Sequence, residues 1–516
     1  MPRRFLSLAL LIGLAFATVP ARAELSLCSL FTDHMVVQRD APIRVWGWAD
    51  AGAEVTADLG DESATALAGD DGRFELELAP LPAGGPHELK ITSGDQSRTI
   101  TDVLVGEVWV CSGQSNMQWA VNQANDGDLE ALAADFPEIR LITVPRVGTQ
   151  EPQTDFEGEW SLCSPDTVKD FSAVGYFFGR RLHQTLGVPV GLIDNAWGGS
   201  AAEAWIAPEA LAGQPAYKPL LEHWQEVAAN YDAEQAEKTY QKRRQAWIDG
   251  GRKGNPPRQP GNPLTGNQRP SNIYNGVLKP TIGYTIKGAI WYQGESNSER
   301  AYQYRDLFPL LIQTWRDEWK LGDFPFYWVQ LADFKAYADR PQESSWAELR
   351  EAQTMTMDKL PNTGEAVIIN LGEAVDIHPK NKQDVAKRLA RWALARDYGF
   401  DIPYQSPRFE SVEFDDGKAI VKFSAVGSGL DTFDVNEMLG FTIAGADKRF
   451  VAAQAKRMPG TKDTVIVSAD GIDAPVAVRY AWADNPVCNV QSADGLPLTP
   501  FRTDEFTGNT AGKVSP

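Results

Sequence analysis

The sequence predicts an α/β protein: a mainly parallel sheet with helices on both faces, as in a three-layer α/β/α domain, flanked by a β-sandwich at each end. Three observations predict it. Up to about residue 101 the chain is written in short alternating runs cut by turn signals. From Asp102 strands alternate with amphipathic helices, the pattern of parallel sheets covered on both faces. After Pro403 the short β runs return.

Taken in order, residues 1–23 read as an export leader: Arg3 and Arg4, an apolar run from Phe5 to about Val19, then Ala21-Arg22-Ala23 as an A-x-A cleavage site. The run is too short and wrongly flanked for a membrane anchor, and no later stretch approaches the ~18 apolar residues of a span. Residues 24–101 form the first β domain, with runs such as Ile43-Arg44-Val45-Trp46-Gly47-Trp48 and Phe74-Glu75-Leu76-Glu77-Leu78 separated by Asp40-Ala41-Pro42 and Asp70-Asp71-Gly72. Residues 102–402 form the α/β domain. Its strands are expected near 103–111, 139–145, 188–196, 286–293, 325–331 and 365–371, and its helices near 127–135, 172–186, 301–320, 346–360 and 379–398. The last helix is expected to open at Pro379, with Asp376 or His378 as its cap, and to stop at Gly399. Residues 208–271 break the rhythm with a charged helical piece and the Gly250–Pro257 segment, read as an insertion at the mouth of the site or a surface excursion. Residues 403–516 form the second sandwich.

The chain carries 49 Lys and Arg against 69 Asp and Glu, a formal charge of −20. That balance argues against nucleic acid and anionic membranes, which require a basic footprint, and leans toward a neutral substrate. Four cysteines, Cys28, Cys111, Cys163 and Cys488, allow three pairings in an exported chain; a buried small hydrophobe is the other reading of Cys111. The sequence contains no His-x-His, His-Glu-x-x-His or Cys-x-x-Cys, and no metal or organic cofactor is expected.

In open α/β sheets ligands lie outside the carboxyl ends of the strands. The residues just past each expected strand are therefore informative. Val108–Cys111 runs into Ser112-Gly113-Gln114-Ser115-Asn116-Met117; the third strand runs into Trp197-Gly198-Gly199-Ser200; the fourth runs into Trp291-Tyr292-Gln293-Gly294-Glu295-Ser296-Asn297. The last is succeeded by Glu373, Asp376 and His378. A serine hydroxyl needs a neighbouring imidazole to take its proton, and the imidazole needs a carboxylate to fix its tautomer. Of five histidines only His378 comes after a strand of this region. Ser115 is thus the candidate nucleophile, His378 the base and Asp376 the acid, with Glu295 and Glu373 as lesser alternatives. The backbone N–H groups of Ser115 and Gly199, with the amide of Gln293 as a third donor, are the candidate oxyanion hole. Asn116 and Asn297 are read as loop braces. Trp119, Trp197, Trp205 and Trp291 lie beside these motifs, where flat rings can stack on sugar faces, although such rings usually belong to the core.

These four motifs, Gly-Gln-Ser-Asn-Met at 113–117, Trp-Gly-Gly-Ser at 197–200, Trp-Tyr-Gln-Gly-Glu-Ser-Asn at 291–297 and Asp-Ile-His-Pro at 376–379, resemble the sialate O-acetylesterase family. That family belongs to the SGNH (GDSL-like) hydrolases and is akin to esterases that deacetylate xylan. The resemblance spans about residues 25–500. It implies an SGNH-like α/β/α domain and a serine carbohydrate esterase, with nucleophile and base at Ser115 and His378 and an O-acetylated carbohydrate as substrate. The superfamily's usual acid stands three residues before the histidine, where this chain has Val375, and its usual asparagine donor is replaced by Gln293-Gly294-Glu295. Two other readings are a glycoside hydrolase using Glu295 and Asp376, and a carbohydrate-binding protein without catalysis.

Overall fold

A computed structural model describes residues 23–338 and 340–515; all but Ala23 of the expected export leader lies outside them. Seven strands make the central sheet: β1 (Gln96–Gly113), β2 (Phe136–Thr143), β3 (Ser161–Cys163), β4 (Val190–Asp194), β5 (Gly288–Tyr292), β6 (Phe326–Val329) and β7 (Thr363–Ala366). They lie in the order β3-β2-β4-β1-β5-β6-β7. All pairs are parallel except β3 with β2.

The principal helices are α1 (Ser115–Gln118), α2 (Ala173–Leu186), α3 (Lys218–Asn230), α4 (Ala233–Asp249), α5 (Ala301–Trp319), α6 (Ser345–Lys359) and α7 (Lys382–Arg396). Side chains alternate across a strand, and β1 shows why its run is apolar throughout. Trp109 and Cys111 enter a core with Phe178 of α2 and Leu389 of α7, whereas Val108 and Val110 enter one with Trp315 of α5 and Leu349 of α6. Helices therefore cover both faces.

β1 is longer than expected, and the expected boundary at 101/102 falls inside it. Its first half pairs antiparallel with Gly84–Ser93 and its middle runs parallel to Val36–Gln38. From Glu107 it enters the central sheet between β4 and β5. One sheet is thus continuous from the N-terminal strands to the site. A separate three-stranded sheet (Ser26–Leu27, Ile43–Trp48, Arg73–Leu78) completes the N-terminal region and shares its core with α5.

The second β region is more separate. Two four-stranded antiparallel sheets, one built on Lys418–Ser424 and Thr464–Ser468, the other on Phe441–Ala444 and Ala477–Tyr480, enclose their own core, to which the central domain contributes Val367 and Ile369. The 208–271 segment carries α3 and α4, and α4 buries no residue. The four cysteines are all unpaired, and Cys28, Cys111 and Cys163 are buried, so the reading of Cys111 as a small core residue is the one that holds. No helix among the described residues is long and apolar enough to cross a membrane.

Candidate active site

β1 ends at Gly113, whose φ of +132° only glycine adopts readily, and a side chain there would meet the Tyr292 carbonyl at 2.3 Å. The chain turns at Gln114, whose N–H donates to Tyr292 O at 2.9 Å, and Ser115 opens α1. Its N–H, at the first helical position, has no acceptor within the helix. The Trp197–Ser200 loop lies against this turn. Trp197 N–H donates to Gly113 O (3.0 Å), Gly198 N–H donates to Gln118 Oε1 (2.7 Å), and a Cβ on Gly198 would come within 3.3 Å of Ser115 Cβ. Absence of a side chain at Gly198 is what lets the loop approach the serine.

The histidine arrives from the loop after β7. His378 Nε2 lies 2.9 Å from Ser115 Oγ, and its Nδ1 lies 3.3 Å from Asp376 Oδ1. The same carboxylate oxygen accepts the His378 backbone N–H at 2.9 Å. Trp119 stacks on the imidazole, with centroids 4.9 Å apart and planes 16° from parallel. Burial lowers the His378 pKa; Asp376 raises it in part and Lys382 adds to the lowering. These effects together bias the imidazole toward the neutral form that can accept a proton.

The alternatives for the acid are occupied elsewhere. Glu295 Oε1 accepts from Asn116 Nδ2 at 2.6 Å, and Glu373 Oε1 accepts the Lys380 N–H at 2.9 Å. Pro379 and Lys380 belong to the loop, and α7 begins only at Lys382 with Asn381 as its cap, so neither Asp376 nor His378 caps it.

Three expected roles are corrected. Gln293 is fully buried and its Nε2 donates to Ser200 O (3.1 Å) and Asn297 Oδ1 (2.7 Å), which uses both N–H groups and leaves none for an oxyanion. Trp205 and Trp291 are fully buried and pack edge-to-face at 5.5 Å, because their positions face the α5 side of the sheet; neither can reach a sugar. Trp197 is half-buried beside Gly198. Asn297 braces the loops as expected, accepting from Ala202 N–H and donating to Glu203 Oε2 (2.9 Å). Asn116 donates to Ile377 O at 3.1 Å as well as to Glu295. Gly199 adopts φ +73°, and the carbonyls of Gly198 and Gly199 accept from Asn267 Nδ2 and Gln268 Nε2 at the return of the 208–271 excursion.

Sequence reasoning missed Gln118, Asn267 and Gln268, which are unremarkable polar residues in sequence. It also missed Lys382, which did leave a signal: it stands on the same helical stripe as Val385, Ala386 and Leu389, where an apolar residue is expected. Lys382 is fully buried, and burial lowers its pKa to about 7.

The family model for carbohydrate esterase, sialic acid-specific acetylesterase matches residues 105–239 and 261–394, which together make up more than half of the chain and hold Ser115 and His378. The chain belongs to this family. Membership makes it a carboxylic ester hydrolase, a carbohydrate O-acetylesterase. Among named relatives, the sialate O-acetylesterase of Rattus norvegicus is 30% identical over 80% of each chain. That of Mus musculus is 28% identical over 92% of this chain and 93% of its own. The crystal structure of a carbohydrate acetylesterase from Xanthomonas citri superposes with a TM-score of 0.80 at 38% identity, covering 93% of this chain and all of that one. The Mus musculus relative and the Xanthomonas citri structure thus each match more than nine-tenths of this chain.

Proposed function

We propose that this esterase cleaves acetyl esters by a Ser115–His378–Asp376 acyl-enzyme mechanism. The observation that carries the reading is the 2.9 Å approach of His378 Nε2 to Ser115 Oγ at the carboxyl edge of a parallel sheet. Ser115 Oγ attacks the acetyl carbonyl carbon and passes its proton to His378 Nε2. The oxyanion forms against the N–H groups of Ser115 and Gly199. His378 returns the proton to the departing sugar hydroxyl, leaving acetyl-Ser115. It then takes a proton from water as the water oxygen adds to the acetyl carbon, and gives that proton back to Ser115 Oγ as the ester bond breaks and acetate leaves. Asp376 holds the imidazole tautomer and the charge it gains. None of these steps calls on a metal or cofactor.

The substrate is an O-acetylated glycan: acetylated sialic acid, as in the names of the rodent relatives, or acetylated plant-wall oligosaccharides such as xylan and xyloglucan. The chain's net charge of −20 favours the neutral glycan of the two. Trp119, stacked on His378, and Trp197 are the rings left at the site that are only half-buried and so have surface for a sugar face. The central sheet and its helices are an SGNH-type α/β/α unit reaching to about residue 402, joined through β1 to the N-terminal β region and followed by a β-sandwich domain at 403–516. The leader at residues 1–23 sends the enzyme out of the cytoplasm.

Acetate release from acetylated sialosides, xylan and xyloglucan oligosaccharides tests the reading, with Ser115→Ala and His378→Ala beside the wild type. Acetate from one glycan class, lost by at least ~10³-fold in both variants, is expected. Activity that survives Ser115→Ala overturns the serine mechanism.

A further inference from the structure

Behind the Ser115–His378 pair lies a buried polar cluster that the acetyl-transfer steps do not use. Lys382 Nζ donates to Asn116 Oδ1 at 2.6 Å. Asn116 Nδ2 donates to Glu295 Oε1 at 2.6 Å and to Ile377 O at 3.1 Å. The ammonium also lies 5.1 Å from the ring centre of Tyr292 and 5.8 Å from that of Trp119, the ring stacked on His378. Asn116 is the residue after the nucleophile in the chain, and Ile377 precedes the base. One side-chain amide thus spans the two halves of the catalytic pair.

We propose that Lys382 and Glu295 are positioning residues: gripping the Asn116 amide from opposite ends, they hold its N–H on the Ile377 carbonyl and so set the Ser115 Oγ to His378 Nε2 approach.

A primary amide has two planar orientations of nearly equal size. Here a cation at the oxygen and a carboxylate at the nitrogen select one. The flipped amide would turn its NH₂ toward the ammonium and its oxygen toward both the carboxylate and the Ile377 carbonyl, three mismatches at once. Packing alone would not call for such a pair, because apolar residues of similar volume stabilise a core at least as well as buried charges. The downward shift of Lys382, to about 7, and the upward shift of Glu295 mark what burial costs both groups. A charged pair retained there, with an amide between its members, makes sense as a device for orientation.

The inference rests on the serine mechanism proposed above. Its test is the Lys382→Met/Glu295→Leu double variant, which removes both charges and leaves neither buried alone. Measured beside it are Asn116→Ser and the triple variant, each for kcat and KM on the acetylated glycan, rate of Ser115 labelling by diisopropyl fluorophosphate, and Tm. The expected double variant keeps its Tm within a few degrees, loses at least about tenfold in kcat and in labelling rate, and holds KM within twofold. Because the grip acts through Asn116, adding Asn116→Ser should cost little more. Wild-type kcat in a folded double variant overturns the inference. So does a triple variant whose losses multiply. If the double variant does not fold, Asn116→Ser decides: unchanged kcat and labelling overturn the inference, and a tenfold loss of both at constant KM supports it. Retained activity in Ser115→Ala would instead sink the mechanism itself, a result separate from any of these.

Discussion

The serine and the histidine reach the same point by different physical means. Ser115 stands at the end of a strand whose last eleven residues, Val103–Gly113, are buried, locked between β4 and β5 and covered by helices on both faces. His378 stands in a loop of irregular backbone twelve residues beyond β7, beside Val375, which is 97% exposed. That loop is held by single polar clamps: Gly372 N–H on Asp333 Oδ1 (2.7 Å), Lys380 N–H on Glu373 Oε1, and the Asn116 amide on Ile377 O. The nucleophile is placed by packing, and the base by hydrogen bonds. Packing is collective and tolerates little, whereas clamps can be removed one at a time.

That contrast sets the order of expected effects. The largest belongs to the packed arm. Gly113→Ala combines a left-handed φ with a Cβ 2.3 Å from the Tyr292 carbonyl, so it displaces the strand end that carries Ser115. Strain of this kind costs on the order of 1–3 kcal/mol before the clash is counted. Calorimetry and acetate release should show Tm and kcat falling together, and a variant with normal Tm and kcat would show that this arm is less tightly locked than its packing implies.

The clamped arm should lose activity without losing stability. Asp376 is partly exposed, and one of its oxygens serves both the His378 ring, at 3.3 Å, and the His378 backbone. A buried triad acid is worth about 10⁴ in kcat. Asp376→Asn should cost roughly 10- to 100-fold, with Tm unchanged. A 10⁴-fold loss would show that the acid is as tightly engaged as a buried one.

The smallest effect is in the pH profile. Protonation switches the base off, so kcat/KM falls as pH drops through the His378 pKa, which burial places below the ordinary histidine value. Asp376 raises that pKa and Lys382 lowers it. Asp376→Asn should therefore move the acid limb to lower pH, and Lys382→Met should move it to higher pH. Shifts in the same direction would contradict the electrostatics of this loop.

Legibility in the sequence divides along the same line. An apolar run broken by Ser-Gly-Gln-Ser-Asn marks a strand end by local patterning, and Trp-Gly-Gly and Tyr-Gln-Gly mark two more. Parallel strands then bring such ends to one edge whatever lies between them. His378 was found because so few histidines compete with it, and Asp376 because it is close in sequence. The continuity of β1 with the N-terminal strands was not legible, since Asp102 closes the largely polar run Ser97-Arg98-Thr99-Ile100-Thr101 just before an apolar one and so reads as a boundary, whereas the strand continues through it at φ +55°.

The sequence by itself determined the α/β order, the edge where the polar motifs collect and the residues offered there as nucleophile and base. Those features depend on periodicity and on turn chemistry, which act over a few residues. Tertiary structure alone decided that Gln293 spends its amide on Ser200 and Asn297, that Trp205 and Trp291 turn into the core, and that Lys382 reaches Asn116 across 266 residues of chain. Where a side-chain hydrogen bond goes depends on which neighbour packing brings within about 3 Å, and no local pattern encodes that.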